Sequence, residues 1–312
     1  LDNVWGDCQL KHKKMRHFIS STLILTLIST FTYGQSYTTW ITGDTADVDV
    51  LEKQSGIVLA GGGGDNDEAM QWMLERADGG DVVVLRASGS DGYNDYFFSE
   101  LGVSVNSVQT IRFDGPDAAT DPYVISTIQN AEALFIAGGD QYDYYEYWKD
   151  SPVGDALNYL INEKKITVGG TSAGMAILGQ AYYTPENSGI VSSIALENPF
   201  SVNMDIIGNG DFLETPYLEN LITDTHFEQR DRQGRLLAFM ARVANDWEVR
   251  PFGIACNEYT AVCIDETGMA RVFGEYPQYE DYAFFLQACG DDFLPEIIEP
   301  NTPLNWSHDG AR

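Results

Sequence analysis

Four short apolar runs carry the strongest constraint on how this chain folds. "GIVLAGGGG" (56–64), "DVVVLRAS" (81–88), "ALFIAGGD" (133–140) and "KITVGG" (165–170) are continuously apolar rather than alternating. A strand of that kind has both faces out of water. Helix-patterned segments lie between them: "DNDEAMQWMLERA" (65–77), capped by Asp65 or Asn66, and the amphipathic "VGDALNYLINEKK" (153–165). Buried strands alternating with helices predict an α/β fold, a mainly parallel sheet covered on both faces. Ligands of such sheets bind beyond the carboxyl ends of the strands, where three of these four runs end in Gly-Gly.

A nucleotide site is one reading of glycine-rich strand ends, and the spacing argues against it. "GGGGDND" lacks G-x-G-x-x-G, and G-x-x-x-x-G-K-[ST] occurs nowhere, so the glycines read as tight turns that let backbone approach closely. Beyond the fourth run comes a less regular region, 182–221, followed by the helical "RLLAFMARVAND" (235–246). The chain closes with "FGIACN" (252–257), a C-terminal β-hairpin over "YTAVCIDETGMARVFG" (259–274) turning at Glu266 to Gly268, and a polar tail. Without an internal repeat or a Pro/Ser-rich linker, residues 35–312 are expected to form a single α/β domain.

The first 34 residues read differently. "MRHFISSTLILTLISTFTYGQ" (15–35) has Arg16 and His17, then an apolar stretch to Phe31, then Gly34: the order of a secretory signal peptide over residues 15–34. Residues 1–14 precede the start-like Met15 and read as a vector- or gene-prediction-derived extension. The expectation is a secreted protein, extracellular or periplasmic, with no membrane association after cleavage. Residues 1–34 carry four Lys/Arg and two Asp/Glu, so their removal takes the net charge from -29 to -31. A field of that sign opposes binding to nucleic acid or anionic membrane. Cys256, Cys263 and Cys289 then remain, too few for a disulfide scaffold and without metal-site spacing. No cofactor and no metal are expected. The sequence is compatible with a homodimer and does not fix the oligomeric state.

Gly170-Thr171-Ser172-Ala173-Gly174 fits G-x-S-x-G, in which a serine sits on a strained turn between a strand and a helix. Ser172 is the candidate nucleophile, and it needs a base. Beyond residue 34 only His226 and His308 remain. His308 lies five residues from the end, whereas His226 lies between an apolar run and a helix, where a strand-end loop reaches a shared cleft. His226 is the expected base. A carboxylate usually holds such an imidazole in one tautomer. Glu186, fourteen residues past Ser172, is the first choice, with Glu197 and Asp205 as competitors. Near His226, three of the ten arginines beyond residue 34 fall within six residues: Arg230, Arg232 and Arg235. Their planar forks suit a substrate carboxylate, or else Glu228 and Asp231. Asp224 is placed either to orient His226 or to meet a cationic substrate.

Four strings, "AGGDQ" (137–141), "GTSAGMA" (170–176), "DTHFEQRDRQGRL" (224–236) and "GIACNEYTAV" (253–262), resemble peptidase family S51 and, within it, the cyanophycinases. They run in the family's order over roughly residues 56–274. The resemblance implies a three-layer, flavodoxin-like sandwich similar to class I glutamine amidotransferases and a Ser-His-Glu triad without metal. It further implies hydrolysis of cyanophycin, a poly-aspartate bearing arginine on each β-carboxyl, to β-aspartyl-arginine dipeptides. On this chain it makes Ser172 the nucleophile and His226 the base. Gly139 and Ala173 become the oxyanion hole, and Gln141, Asp224, Arg230, Arg232 and Arg235 the substrate-binding residues. The chain departs at Thr225, where the family commonly has Gln, and at Cys256-Asn257, where Ile-Asp is usual. Other readings of the same residues are an S51 dipeptidase acting on N-terminal aspartate, an α/β-hydrolase esterase using His308, and a catalytically silent polymer-binding module.

Overall fold

The computed structural model describes residues 36–204 and 206–307. Residues 15–34, read as a signal peptide, and residues 1–14, read as an extension, lie outside the described residues, as do Asp205 and His308. The strands are β1 (Tyr37–Gly43), β2 (Gly56–Ala60), β3 (Asp81–Arg86), β4 (Ser107–Phe113), β5 (Ala133–Ile136), β6 (Thr167–Thr171), β7 (Ala181–Thr184), β8 (Ile206–Asn209), β9 (Leu221–Asp224), β10 (Phe252–Cys256), β11 (Ala261–Asp265), β12 (Ala270–Phe273) and β13 (Ala283–Gln287). The α-helices are α1 (Asp67–Glu75), α2 (Gly92–Asp95), α3 (Pro122–Asn130), α4 (Gln141–Trp148), α5 (Pro152–Tyr159), α6 (Ala173–Ala176), α7 (Ser192–Glu197) and α8 (Gln233–Trp247).

The larger sheet has eight strands in the order β1-β4-β3-β5-β6-β2-β11-β12. Its centre, β4-β3-β5-β6-β2, is parallel throughout. Counted along the chain this block reads 3-2-4-5-1: β3 to β6 follow the 2-1-3-4 part of the flavodoxin-like order, and the earliest strand, β2, takes the last position. All four apolar runs lie in this block, and alternation along each strand sends side chains to both faces. Ile57, Leu59, Leu134, Ile136 and Val168 enter one core with Val153, Ala156 and Leu157 of α5. Val58, Ala60, Ala133 and Phe135 enter the other with Ala69, Met70, Met73 and Leu74 of α1. Each large side chain so buried stabilises the fold by about 1.5–3 kcal/mol relative to exposure. Helix starts follow the local chemistry. Asn66 caps α1 by accepting from Ala69 N–H at 3.1 Å, and Ser151 caps α5 ahead of Pro152.

The mixed α/β class and the hairpin agree with the sequence expectation: β11 and β12 pair antiparallel from Ala261↔Phe273 to Ile264↔Ala270. Two features differ from it. First, β1 and β4 lie in stretches too polar to read as buried strands. The buried Thr110 of β4 bonds to Asn94 Oδ1 at 2.7 Å, and Gln109 donates to Thr39 Oγ1 at 2.9 Å, so side-chain pairing removes the cost of burying them. Second, a five-stranded sheet of order β13-β10-β9-β7-β8 takes in the region expected to be irregular and part of the polar tail. In it β10 is parallel to β9. Its core joins Leu236, Phe239, Met240 and Val243 of α8 to Tyr183, Ile222 and Ala255. Cys256, Cys263 and Cys289 are free thiols, and burial pushes Cys256 up to about 12.

Candidate active site

Five strands end in one region, and each delivers part of it. β6 runs directly into Ser172, which has φ 52° and ψ −112° before the four-residue α6. Positive φ is strained for a non-glycine residue, and here it lifts the hydroxyl out of the turn. The glycines on either side are required by close approach. A β-carbon on Gly170 would strike the backbone of Gly174, and one on Gly174 would strike the Ile136 carbonyl at the end of β5. Ser172 N–H donates to the Ala60 carbonyl of β2 at 3.0 Å, tying the elbow to the neighbouring strand.

β9 and β10 bring the other partners. His226 follows β9, and its Nε2 lies 2.8 Å from Ser172 Oγ. Its Nδ1 lies 2.6 Å from Oε1 of Glu258, which follows β10. With the proton on Nδ1 donated to the carboxylate, Nε2 is free to accept the serine proton. His226 is buried, and that burial is the largest cause of an imidazole pKa below its ordinary value. The hydrogen bond donated to Glu258 acts upward, and the charges of Arg230 and Arg232 act downward. The imidazole is therefore held neutral, the form a base requires.

The turn Gly61–Gly64 after β2 is shaped by this set of residues. A β-carbon on Gly61 would strike the backbone of Cys256 and Asn257, on Gly62 the imidazole of His226, on Gly63 the side chain of Glu258, and on Gly64 the ring of Tyr259. Gly62 and Gly63 also have φ of 94° and 78°. Backbone bonds lock the turn between the sheets: His226 N–H to Gly61 O at 2.8 Å, Gly61 N–H to Thr260 O at 2.9 Å, and Tyr259 N–H to Gly62 O at 3.0 Å. The glycine run thus serves the histidine side of the site, with no phosphate needed to account for it.

The remaining sequence candidates divide. Gly138 and Gly139 follow β5, and a β-carbon on Gly138 would stand 3.5 Å from Ser172 Cβ, so this turn lies over the nucleophile. Ala173 opens α6, where a backbone N–H has no intrahelical acceptor. Gln141 is partly buried at the start of α4 and donates to the Tyr183 carbonyl at 3.3 Å. Arg230 is exposed and, among the described residues, makes no ion pair. Asp224 and Arg235 are corrected: they are 2% and 6% exposed and paired with each other, so neither lines a cleft. Arg232 is only partly exposed and bonds to Thr225. Burial and the neighbouring Arg235 lower its pKa to about 10.

The carboxylate on His226 is also corrected. Glu186 is exposed beyond β7 and pairs with Tyr142, and Glu197 is exposed at the end of α7. Glu258 takes the position instead. Proximity in sequence to Ser172 was an uninformative guide. The usable signal was positional: "FGIAC" is a buried strand, and Glu258 stands two residues past it, as His226 stands two residues past "LITD".

No family model matches the chain. It is similar to the cyanophycinase of Geminocystis herdmanii, 27% identical over 181 residues, 57% of this chain and 58% of the relative. The cyanophycinase of Trichormus variabilis is 26% identical over 179 residues, 57% and 53% of the two chains. That of Synechococcus elongatus is 26% identical over 232 residues, 70% and 66%. The chain thus spans little more than half the length of the first two of these curated relatives. In fold it is similar to the crystal structure of a peptidase from an acI-B1 Actinobacterium, with a TM-score of 0.54 at 12% identity, over 76% of this chain and 98% of that one. The order of the four sequence strings and the likeness to cyanophycinases point the same way: in sequence the chain is similar to the cyanophycinases, and in fold to a solved peptidase structure.

Proposed function

We propose that the protein is a serine peptidase that hydrolyses cyanophycin-like polymer to β-aspartyl-arginine dipeptides. The observation that carries the reading is the continuous contact from Ser172 Oγ to His226 Nε2 at 2.8 Å and from His226 Nδ1 to Glu258 Oε1 at 2.6 Å. Ser172 Oγ attacks the scissile carbonyl while His226 Nε2 takes its proton. The oxyanion is met by the backbone N–H groups of Gly139 and Ala173, and the imidazolium then protonates the leaving amine. Water hydrolyses the acyl-enzyme by the same route in reverse, with Glu258 stabilising the imidazolium in both halves.

Two features support this substrate. A cavity of about 520 Å³ adjoins the Glu258 side chain and is lined by Glu275, Glu280 and Asp281 with Tyr259 and Tyr279. Carboxylates and tyrosine faces together suit a guanidinium group. Arg230, exposed and four residues past His226, suits a free carboxylate. A dipeptidase acting on N-terminal aspartate would need the second feature and leave the first without a role.

The test is product analysis after incubation with insoluble cyanophycin, in parallel with Asp-X dipeptides. Soluble β-aspartyl-arginine is expected from the wild type and none from Ser172→Ala. Cleavage of Asp-X dipeptides with cyanophycin left intact would overturn the substrate assignment.

A further inference from the structure

We infer that Asp224, Arg232 and Arg235 form a positioning device for His226, holding the backbone that carries the imidazole rather than touching substrate. The inference rests on the catalytic reading of Ser172 and His226 given above.

His226 has φ 46°, a left-handed conformation that a non-glycine residue keeps only where its surroundings impose it. The residue before it is held at both of its backbone groups. Asp224 Oδ1 accepts the Thr225 N–H at 2.8 Å, and Arg232 Nη1 donates to the Thr225 carbonyl and hydroxyl, each at 3.0 Å. The carboxylate that holds Thr225 is itself fixed by a two-pronged contact: Arg235 Nε to Oδ2 at 2.9 Å and Nη2 to Oδ1 at 2.5 Å. Arg235 is anchored in turn. Its Nη1 donates to the Ile190 carbonyl at 3.4 Å, and its guanidinium lies 5.7 Å and 5.6 Å from the ring centres of Tyr183 and Phe239. On the far side, His226 N–H reaches Gly61 O at 2.8 Å.

The arrangement explains why these are arginines. A planar fork fixes both oxygens of Asp224 at once, which a lysine ammonium cannot do. A buried pair of this kind is weak evidence for added stability, since desolvation offsets much of the attraction. Its use here is geometric: a displacement of about 1 Å in a catalytic group costs on the order of 100-fold in rate. The donors of Arg235 toward Asp224 and Ile190 are spent inside the protein, and the side chain is 8% exposed, so no substrate carboxylate can reach it.

The test measures how fast a neutral aryl phosphonate, which has no carboxylate for an arginine to recognise, labels Ser172 in the full chain. Arg235→Lys and Arg232→Gln are compared with the wild type, and folding is checked by circular dichroism. Arg232→Gln keeps the Asp224–Arg235 pair, so it tests the idea even where Arg235→Lys fails to fold. Labelling slowed by about tenfold or more, at temperatures well below unfolding, is the expected result. Labelling within twofold of the wild type overturns the inference. If KM for peptide substrates rises at the same time, the arginines bind substrate; if only the melting temperature falls, they are structural. A wild type that is not labelled at Ser172 removes the catalytic reading as well, so the two failures are distinguishable.

Discussion

Gly62 and His226 compete for the same space: a β-carbon on Gly62 would lie 2.6 Å from both Cε1 and Nε2 of the imidazole and 3.0 Å from Ser172 Cβ. The smallest possible side chain would therefore part the serine from its base, and φ of 94° adds strain at the same residue. Gly62→Ala is expected to lower kcat by at least about 100-fold. Steady-state kinetics on a soluble substrate checks this, and wild-type turnover would show that the turn does not set the Ser172–His226 contact.

Glu258 and Glu186 make opposite predictions. Glu258→Gln keeps the shape but loses the charge that stabilises the imidazolium, so kcat should fall by about 10² to 10⁴. Glu186→Gln removes an exposed partner of Tyr142 and should leave kcat within about twofold. Measuring both variants in one assay decides between the two carboxylates.

The pH profile offers a test of sign. The base works as neutral imidazole, so the acid limb of kcat/KM reports the pKa of His226. The charge of Arg230 lowers that pKa. Arg230→Gln should therefore move the acid limb to higher pH. Glu258 raises the same pKa through its hydrogen bond, so in Glu258→Gln the residual activity should have its acid limb at lower pH. Movement of both limbs in one direction would contradict these electrostatics.

Stability should respond at the elbow. A β-carbon on Gly174 would run into the Ile136 carbonyl, with the buried Phe135–Ala137 segment unable to retreat. Gly174→Ala is expected to cost at least about 1–3 kcal/mol, the usual range for overpacking. The shift of the urea midpoint measures it.

How much of this was legible beforehand depended on how each part is built. The parallel block was plain because β2, β3, β5 and β6 are buried on both faces and must be apolar throughout. β4 was hidden because Thr110 and Gln109 are buried by pairing with other polar side chains, which no hydropathy pattern records. Ser172 and His226 were legible from a turn motif and from the scarcity of histidine. Glu258 was not, because carboxylates are abundant and its relation to His226 exists only once β9 and β10 pair in parallel, Ala255 beside Asp224. The arginine cluster misled for a related reason. Arg235 follows Arg230 by five residues, yet the turn of α8 buries it against Asp224 while Arg230 remains in solvent.

The central claim is that Ser172 is a nucleophile activated by His226. Peptide mapping after exposure to a serine-directed phosphonate tests it most directly. A single adduct on Ser172, absent from Ser172→Ala and lost or strongly slowed in His226→Ala, is the predicted result. Hydrolysis of peptide substrate by a protein that carries no adduct, or that carries it on a different residue, would contradict the account.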